Sequence, residues 1–401
     1  MKRVLLKYQG DIYSIAALHW LKQEKKMEVL TYTPQIGGRE EPAELIGDTA
    51  MRMGVDSAYF GNLEEKYYTH VLTQAIRCSL RDRNGSFLTS GLSRPVIARE
   101  MADLAVENSC AAIAFSEYPQ SMDQLRYRNL FMSLAPGVDI MEMQAEWDMR
   151  TFSDLIQYAK NNNLPVQETR RKEYAIESNL WGNRIRCGKI EDLWRETPEE
   201  LYKDIKKLQD APDRPRYAEI HFREGLPEKL NGKEMDGVEL VRALNELGRT
   251  NGIGRMDIIG EELLGMKTRI IQEAAAAHIV LTAHKALEDI TVSTETLDIQ
   301  NFLAGKLAEI VYEGTWFSSL REAICAFVET VQKNVTGVIR LKLYKGNCIV
   351  TKRKADRPIY EKDLITHERE SSFPAEDIQQ FLNVWVASKV PQKGRHPEDS
   401  E

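Results

Sequence analysis

Apolar and polar positions alternate along the first 165 residues in the manner of strands followed by amphipathic helices. Val4-Leu5-Leu6 reads as a strand and Ser14–Lys25 as the helix after it, then Glu28-Val29-Leu30-Thr31-Tyr32 and a helix over Glu41–Met53. The wholly apolar run Ala111–Phe115 is the kind a buried parallel strand gives, set between helices predicted at Val96–Val106 and Met122–Leu134. A strand at Val138–Met141 and a helix at Met149–Lys160 complete the series. This grammar predicts a doubly wound parallel sheet, whose ligands bind in the turns after the strands, here after Lys7 and after Phe115.

The grammar changes at Asn161-Asn162-Asn163-Leu164-Pro165, a helix stop. Alternating runs at Tyr217–Phe222 and Val338–Leu343 read as antiparallel strands, with hairpin turns at Asn231-Gly232 and Lys345-Gly346-Asn347. Long helical patterns lie at Val238–Leu247 and Gln300–Lys333. A last helix, Pro374–Ser388, follows a polar connector and precedes a charged tail, Pro391–Glu401, expected to be disordered. The expected division is an α/β domain over 1–165, an α+β domain over 166–360 and a C-terminal arm over 361–401.

Composition narrows the function classes. Lys and Arg number 54 against 61 Asp and Glu, a net charge of −7, so the chain lacks the basic footprint of a nucleic-acid binder. No apolar stretch approaches the roughly 20 residues of a membrane span. The opening apolar run, Val4-Leu5-Leu6, is too short for a secretory signal, and cytoplasmic residence is the expectation. The five cysteines, Cys78, Cys110, Cys187, Cys325 and Cys348, form no CxxC, and the histidines show no metal-ligand spacing, so no metal is expected.

Particular stretches point further. Tyr174-Ala-Ile-Glu-Ser-Asn-Leu-Trp181-Gly182, Gly252-Ile-Gly254-Arg255-Met-Asp257-Ile, Gly265-Met-Lys267-Thr-Arg269, Ala283-His284-Lys-Ala-Leu-Glu288, Gly314-Thr-Trp316-Phe317-Ser318-Ser-Leu320-Arg321-Glu322 and Asn334 through Gly346 resemble successive blocks of the argininosuccinate synthase family. Leu92-Ser93-Arg94-Pro95, Asp123-Gln124-Leu125-Arg126 and Glu146-Trp147-Asp148 belong to the same pattern. The resemblance runs in order along nearly the whole chain. It implies a nucleotide-binding-type α/β domain, a synthetase domain, a C-terminal oligomerisation helix and a homotetramer. It also implies ATP with Mg as cofactor, and a reaction in which the citrulline ureido oxygen is adenylylated before the aspartate amine displaces AMP.

Set against that family, the site residues depart in a consistent way. The pyrophosphate loop Ser-Gly-Gly-Leu-Asp-Thr-Ser reads here as Gln9-Gly10-Asp11-Ile12-Tyr13-Ser14-Ile15, keeping Gly10 and a hydroxyl at Ser14. Asp11 places a carboxylate where backbone N–H groups would cradle phosphate, and Tyr13 is a candidate plug. The segment Gly-Cys-Thr-Gly-Lys-Gly-Asn-Asp-Gln reads as Ser116 to Gln124, with Pro119 removing a donor. Asp123, implied to grip the aspartate amine, and Arg126, implied to hold the citrulline carboxylate, are kept, although an ion pair within one helix is the plain alternative. Ser86 and Ser90 replace tyrosine and threonine, Ala175 and Arg184 replace serines, Arg186, Gly260 and Arg128 replace glutamates, and Gln272 replaces tyrosine. The gained guanidinium groups suit a carboxylate or phosphate, and Cys187 beside them is a candidate activated thiol.

Three readings stay open. The chain still makes argininosuccinate by other contacts; or it is a pseudoenzyme acting as an oligomeric binding or regulatory protein; or its pocket is re-equipped as a different carbon–nitrogen ligase or an anionic-ligand-binding enzyme. In any of them, ligand binding is expected to centre on Asp123, Arg126, Arg184 and Arg186, with Ser90, and to favour an anion, Gly10 and Ser14 being the remnant of the nucleotide loop.

Overall fold

The structure is a computed structural model describing residues 2–38, 43–117, 121–166, 174–262, 265–362 and 373–389. It divides into two compact units, Met1–Arg357 and Pro358–Glu401.

In the first unit, strands β1 (Arg3–Lys7), β2 (Glu28–Gln35), β3 (Ser57–Asn62), β4 (Ala112–Phe115) and β5 (Asp139–Glu142) form one all-parallel sheet in the order β3-β2-β1-β4-β5. The central strands are apolar on both faces because both faces are covered. Val4, Leu6, Ala112 and Ala114 pack in one core with α1 (Ile12–Gln23). Leu5, Ile113 and Phe115 pack in the other core with α3 (Thr89–Glu107), α2 being Ala43–Arg52. The chain reverses its winding between β1 and β4, so the crevice at their carboxyl ends is the expected ligand position of this fold. Helices α4 (Met122–Leu134) and α5 (Phe152–Asn161) complete this layer.

Two further sheets follow. β6 (Ala175–Asn179), β7 (Gly182–Arg186), β11 (Arg255–Glu261) and β12 (Lys267–Glu273) make a four-stranded sheet, β11-β12-β7-β6. β8 (Arg216–Arg223), β9 (Leu226–Leu230), β10 (Lys233–Glu234), β13 (Gly337–Tyr344) and β14 (Asn347–Ala355) make the other, β10-β9-β8-β13-β14. Its hairpins turn at Asn231-Gly232 and Lys345-Gly346, and β13 alternates buried and half-buried residues as its sequence predicts. Helices α6 (Gly237–Thr250), α7 (Ala275–Thr291), α8 (Thr294–Glu313) and α9 (Ser319–Gln332) belong to this part. The second unit carries α10 (Ala375–Lys389).

Several expectations need correction. The helix predicted from Val96 begins at Thr89 and runs through Pro95, because Thr89 to Ala98 are all buried and packing overrides the local cost of proline. The continuous helix expected over Gln300–Lys333 is two. Gly314 ends α8 at φ +76°, and Ser318 caps α9. A Cβ on Gly314 would lie 2.5 Å from Arg126 Cα, so glycine here allows α8 to close on α4. β3 and the four-stranded sheet carry no expectation at all, their strands being short and half-polar. The polar connector and the charged tail lie outside the described residues.

Candidate functional site

The crevice between β1 and β4 is framed by the starts of α1 and α4. At α1, Gly10 sits at φ +68°, and Asp11 turns back onto the helix as its cap. Its carboxylate accepts from the Ser14 N–H at 2.8 Å and the Ser14 hydroxyl at 2.7 Å. The Asp11 carboxylate thus takes the place that a bound anion takes at a helix N-terminus. The ring of Tyr13 lies beside Phe152 of α5, centroid to centroid 6.3 Å.

At α4 the same substitution is made by a residue remote in sequence. Ser121 caps the helix, and the Met122 N–H donates to Glu262 Oε2 at 3.1 Å. Between the two helix starts, Lys7 at the end of β1 forms an ion pair with Glu117, just past β4, their side chains 2% and 13% exposed. Burial opposes the charge on both. The Glu117 carboxylate overrides it on Lys7, which is held above its ordinary range, whereas burial prevails on Glu117 and lifts its carboxyl. The Lys7 ammonium also lies 4.7 Å above the Tyr127 ring. Tyr118, Pro119 and Gln120 are outside the described residues.

Beside this crevice lies a buried network of charges. Arg94 of α3 pairs with Asp123 of α4 at 2.6 Å and with Glu177 of β6. Arg126 pairs with Asp123 at 2.8 Å, the intrahelical contact open from the sequence, and donates Nε to the Tyr312 carbonyl at 2.9 Å. Strand alternation puts Arg184 and Arg186 on one face of β7, with Ile185 turned to an apolar cluster on the other. In register beside Arg184 stand Glu177 on β6 and Gln272 on β12. Arg186 reaches Glu177 at 2.8 Å and Glu262 at 2.9 Å, and Arg184 reaches the same Glu262 oxygen at 2.5 Å.

The network sets its own protonation. Burial works against the Asp123 and Glu177 carboxylates, but Arg94 with Arg126 holds Asp123 well below its ordinary range, and Arg94 with Arg186 brings Glu177 to about 2. Arg184 is brought down to about 10 by burial and by the like charge of Arg186.

Asp123, Arg126, Arg184 and Arg186 therefore meet in one ion-pair network, Ser90 lines a cavity with Arg126 and Arg184, and Gly10 precedes α1 while Ser14 stands in its first turn. Arg184 and Arg186 are not bare guanidinium forks, since both are engaged by chain carboxylates. Arg128 is elsewhere: it is exposed and pairs with Glu142. Sequence reasoning passed over Lys7, Glu117, Glu177 and Glu262. The alternation in Arg184-Ile185-Arg186 was the one available signal that a partner strand must carry acids. Among the described residues no group of three His, Cys, Asp or Glu could hold a metal ion.

Comparison with known proteins decides the ancestry. Residues 3–165 match the family described as Arginosuccinate synthase N-terminal HUP domain, and residues 174–390 match Arginosuccinate synthase C-terminal domain. The chain is similar to the argininosuccinate synthase of Endomicrobium trichonymphae, 35% identical over 96% of this chain and 93% of that one. It is similar also to that of Desulfitobacterium hafniense, 34% identical over 96% of each. The chain belongs to the argininosuccinate synthase family. That family is ATP-dependent, and its two-domain pattern accounts for the parallel sheet and the mixed α/β remainder. No helix among the described residues is long and apolar enough to cross a membrane.

Proposed function

We propose that this argininosuccinate synthase family member does not carry out ATP-dependent ligation and serves as an oligomeric binding protein. The supporting observation is that the nucleotide crevice is filled from within. Asp11 and Glu262 occupy the two helix starts, and the Lys7–Glu117 pair spans the strand ends between them. A triphosphate would have to displace two carboxylates that already accept hydrogen bonds from these helix starts, and their repulsion within hydrogen-bonding distance works directly against it. Calorimetric titration with Mg-ATP, then pyrophosphate release with citrulline and aspartate, tests this. The expected result is neither heat nor pyrophosphate; micromolar ATP binding with pyrophosphate release overturns the proposal.

A second reading, that the pocket has been re-equipped for an anionic ligand, is favoured by one observation: four buried guanidinium groups, Arg94, Arg126, Arg184 and Arg186, face three carboxylates, Asp123, Glu177 and Glu262. The proposal extends to a division at about residues 165 and 360, to cytoplasmic residence and to a homotetramer. Exposure of Ile378, Phe381, Leu382, Val384, Trp385 and Val386 on α10 supports an assembly role for the arm, since a lone helix does not leave so much apolar surface in water.

A further inference from the structure

Four guanidinium groups against three carboxylates leave one positive charge unmatched among the described residues. The remaining buried pair nearby, Lys7 with Glu117, is balanced. Isolated charge in a protein interior is costly, and it is tolerated when a counter-charge completes the group.

The surplus can be located. Arg94 and Arg186 each contact two carboxylates. Arg126 shares Asp123 with Arg94, and Arg184 shares a single Glu262 oxygen with Arg186. Arg126 Nη2 and Arg184 Nε and Nη1 make no hydrogen bond among the described residues. Both arginines line one cavity of about 40 Å³, together with Ser86, Ser90, Gln272 and Tyr312. Ser90 is 3% exposed, and its hydroxyl is buried with no partner. The carboxylate at the rim, Glu261, is exposed and engaged by Lys267.

We infer that this cavity takes a small monoanion, a carboxylate or an inorganic oxyanion, bridging Arg126 and Arg184 with the Ser90 hydroxyl as third donor. This rests on the second reading above. At roughly 10–15 Å³ per water by the same measure, the cavity takes about three waters' worth of ligand, enough for a single anionic group on the scale of acetate or bicarbonate. The donors suit it, since guanidinium groups bind planar anions with two N–H groups at once. The lowered Arg184 proton affinity, caused by burial and by Arg186, is the strain that an added negative charge relieves.

The test is calorimetric titration of the full chain with sodium acetate and, separately, sodium bicarbonate, with sodium chloride at equal ionic strength as reference. A saturable heat above chloride for either anion is expected, and the stronger of the two separates a carboxylate from an inorganic oxyanion. Arg184→Ser abolishes the response. Ser90→Ala weakens it about tenfold, the loss of one hydrogen bond to a charged group. No saturable heat with either anion overturns the inference, and so does an unchanged titration of Arg184→Ser. If that variant does not fold, an unchanged affinity in Ser90→Ala overturns it instead. Mg-ATP binding is read in its own titration, so failure of the anion titration leaves the proposal on ATP-dependent ligation standing.

Discussion

Replacing Lys7 or Glu117 strands a charge between β1 and β4, and the cost can be worked from burial. The Lys7 side chain is 2% exposed and that of Glu117 13%, so neither charge regains water when its partner is cut away. Breaking a buried pair from one side costs about 3–5 kcal/mol, because an uncompensated charge remains. Lys7→Ala and Glu117→Ala are each expected to fall in that range. The double variant strands no charge and is expected to cost only about 1 kcal/mol of lost packing. The coupling between the two sites is then several kcal/mol. Urea unfolding followed by tryptophan fluorescence reads it, the buried Trp147 packing edge-on against Trp20 at 6.4 Å in the same layer. A pH arm sharpens the test. Burial raises the Glu117 carboxyl above its ordinary range, so in Lys7→Ala the folded protein takes up a proton more readily than the unfolded chain. Its penalty therefore shrinks as pH falls from about 8 to about 5, whereas in Glu117→Ala burial acts on Lys7 without its counter-charge and lowers it, so that penalty shrinks in the opposite direction, as pH rises. Single-variant costs below about 1 kcal/mol, or a double variant equal to their sum, would refute the reasoning and return the crevice to solvent.

Other consequences follow from the same geometry. Glu177 and Asp123 are held below their unfolded values, so their stabilisation is fully present above the ordinary carboxylate range and is lost as pH falls toward about 2; Arg94→Ala shifts the acid-unfolding midpoint upward, measured by circular dichroism. Asp11→Ala removes the cap of α1 and costs about 1 kcal/mol in chemical denaturation, with no shift expected for Asp11→Asn, which keeps an acceptor. Gly314→Ala forces a side chain to φ +76° with its Cβ 2.5 Å from Arg126 Cα, and a destabilisation of at least about 2 kcal/mol in the same assay is expected. Truncation after Arg357 removes α10 and its exposed apolar residues; analytical ultracentrifugation is expected to show a smaller assembly than the full chain forms, and an unchanged number of protomers per particle would remove the arm from assembly.

The features legible in the chain were those written locally. The apolar strands β1 and β4, the turns at Asn231-Gly232 and Lys345-Gly346, and the Asp123–Arg126 spacing on one helix turn each depend on residues a few positions apart. Family blocks spread along the chain added the ancestry, and they set Gln9–Ile15 at the turn after the first strand. Which charges meet was not written there. Lys7 and Glu117 are 110 residues apart, Arg94 and Glu177 are 83 apart, and Arg184 and Glu262 are 78 apart. None of these pairs leaves a periodic trace, because each depends on where separate sheets and helices pack. From the sequence Arg184 and Arg186 are two unopposed cations gained by the pocket. The tertiary structure supplies Glu177 from β6 and Glu262 from the end of β11, which pair with both arginines and neutralise most of that charge. Charge identity is a property of the residue; charge balance belongs to the three-dimensional neighbourhood, and only folding assembles it.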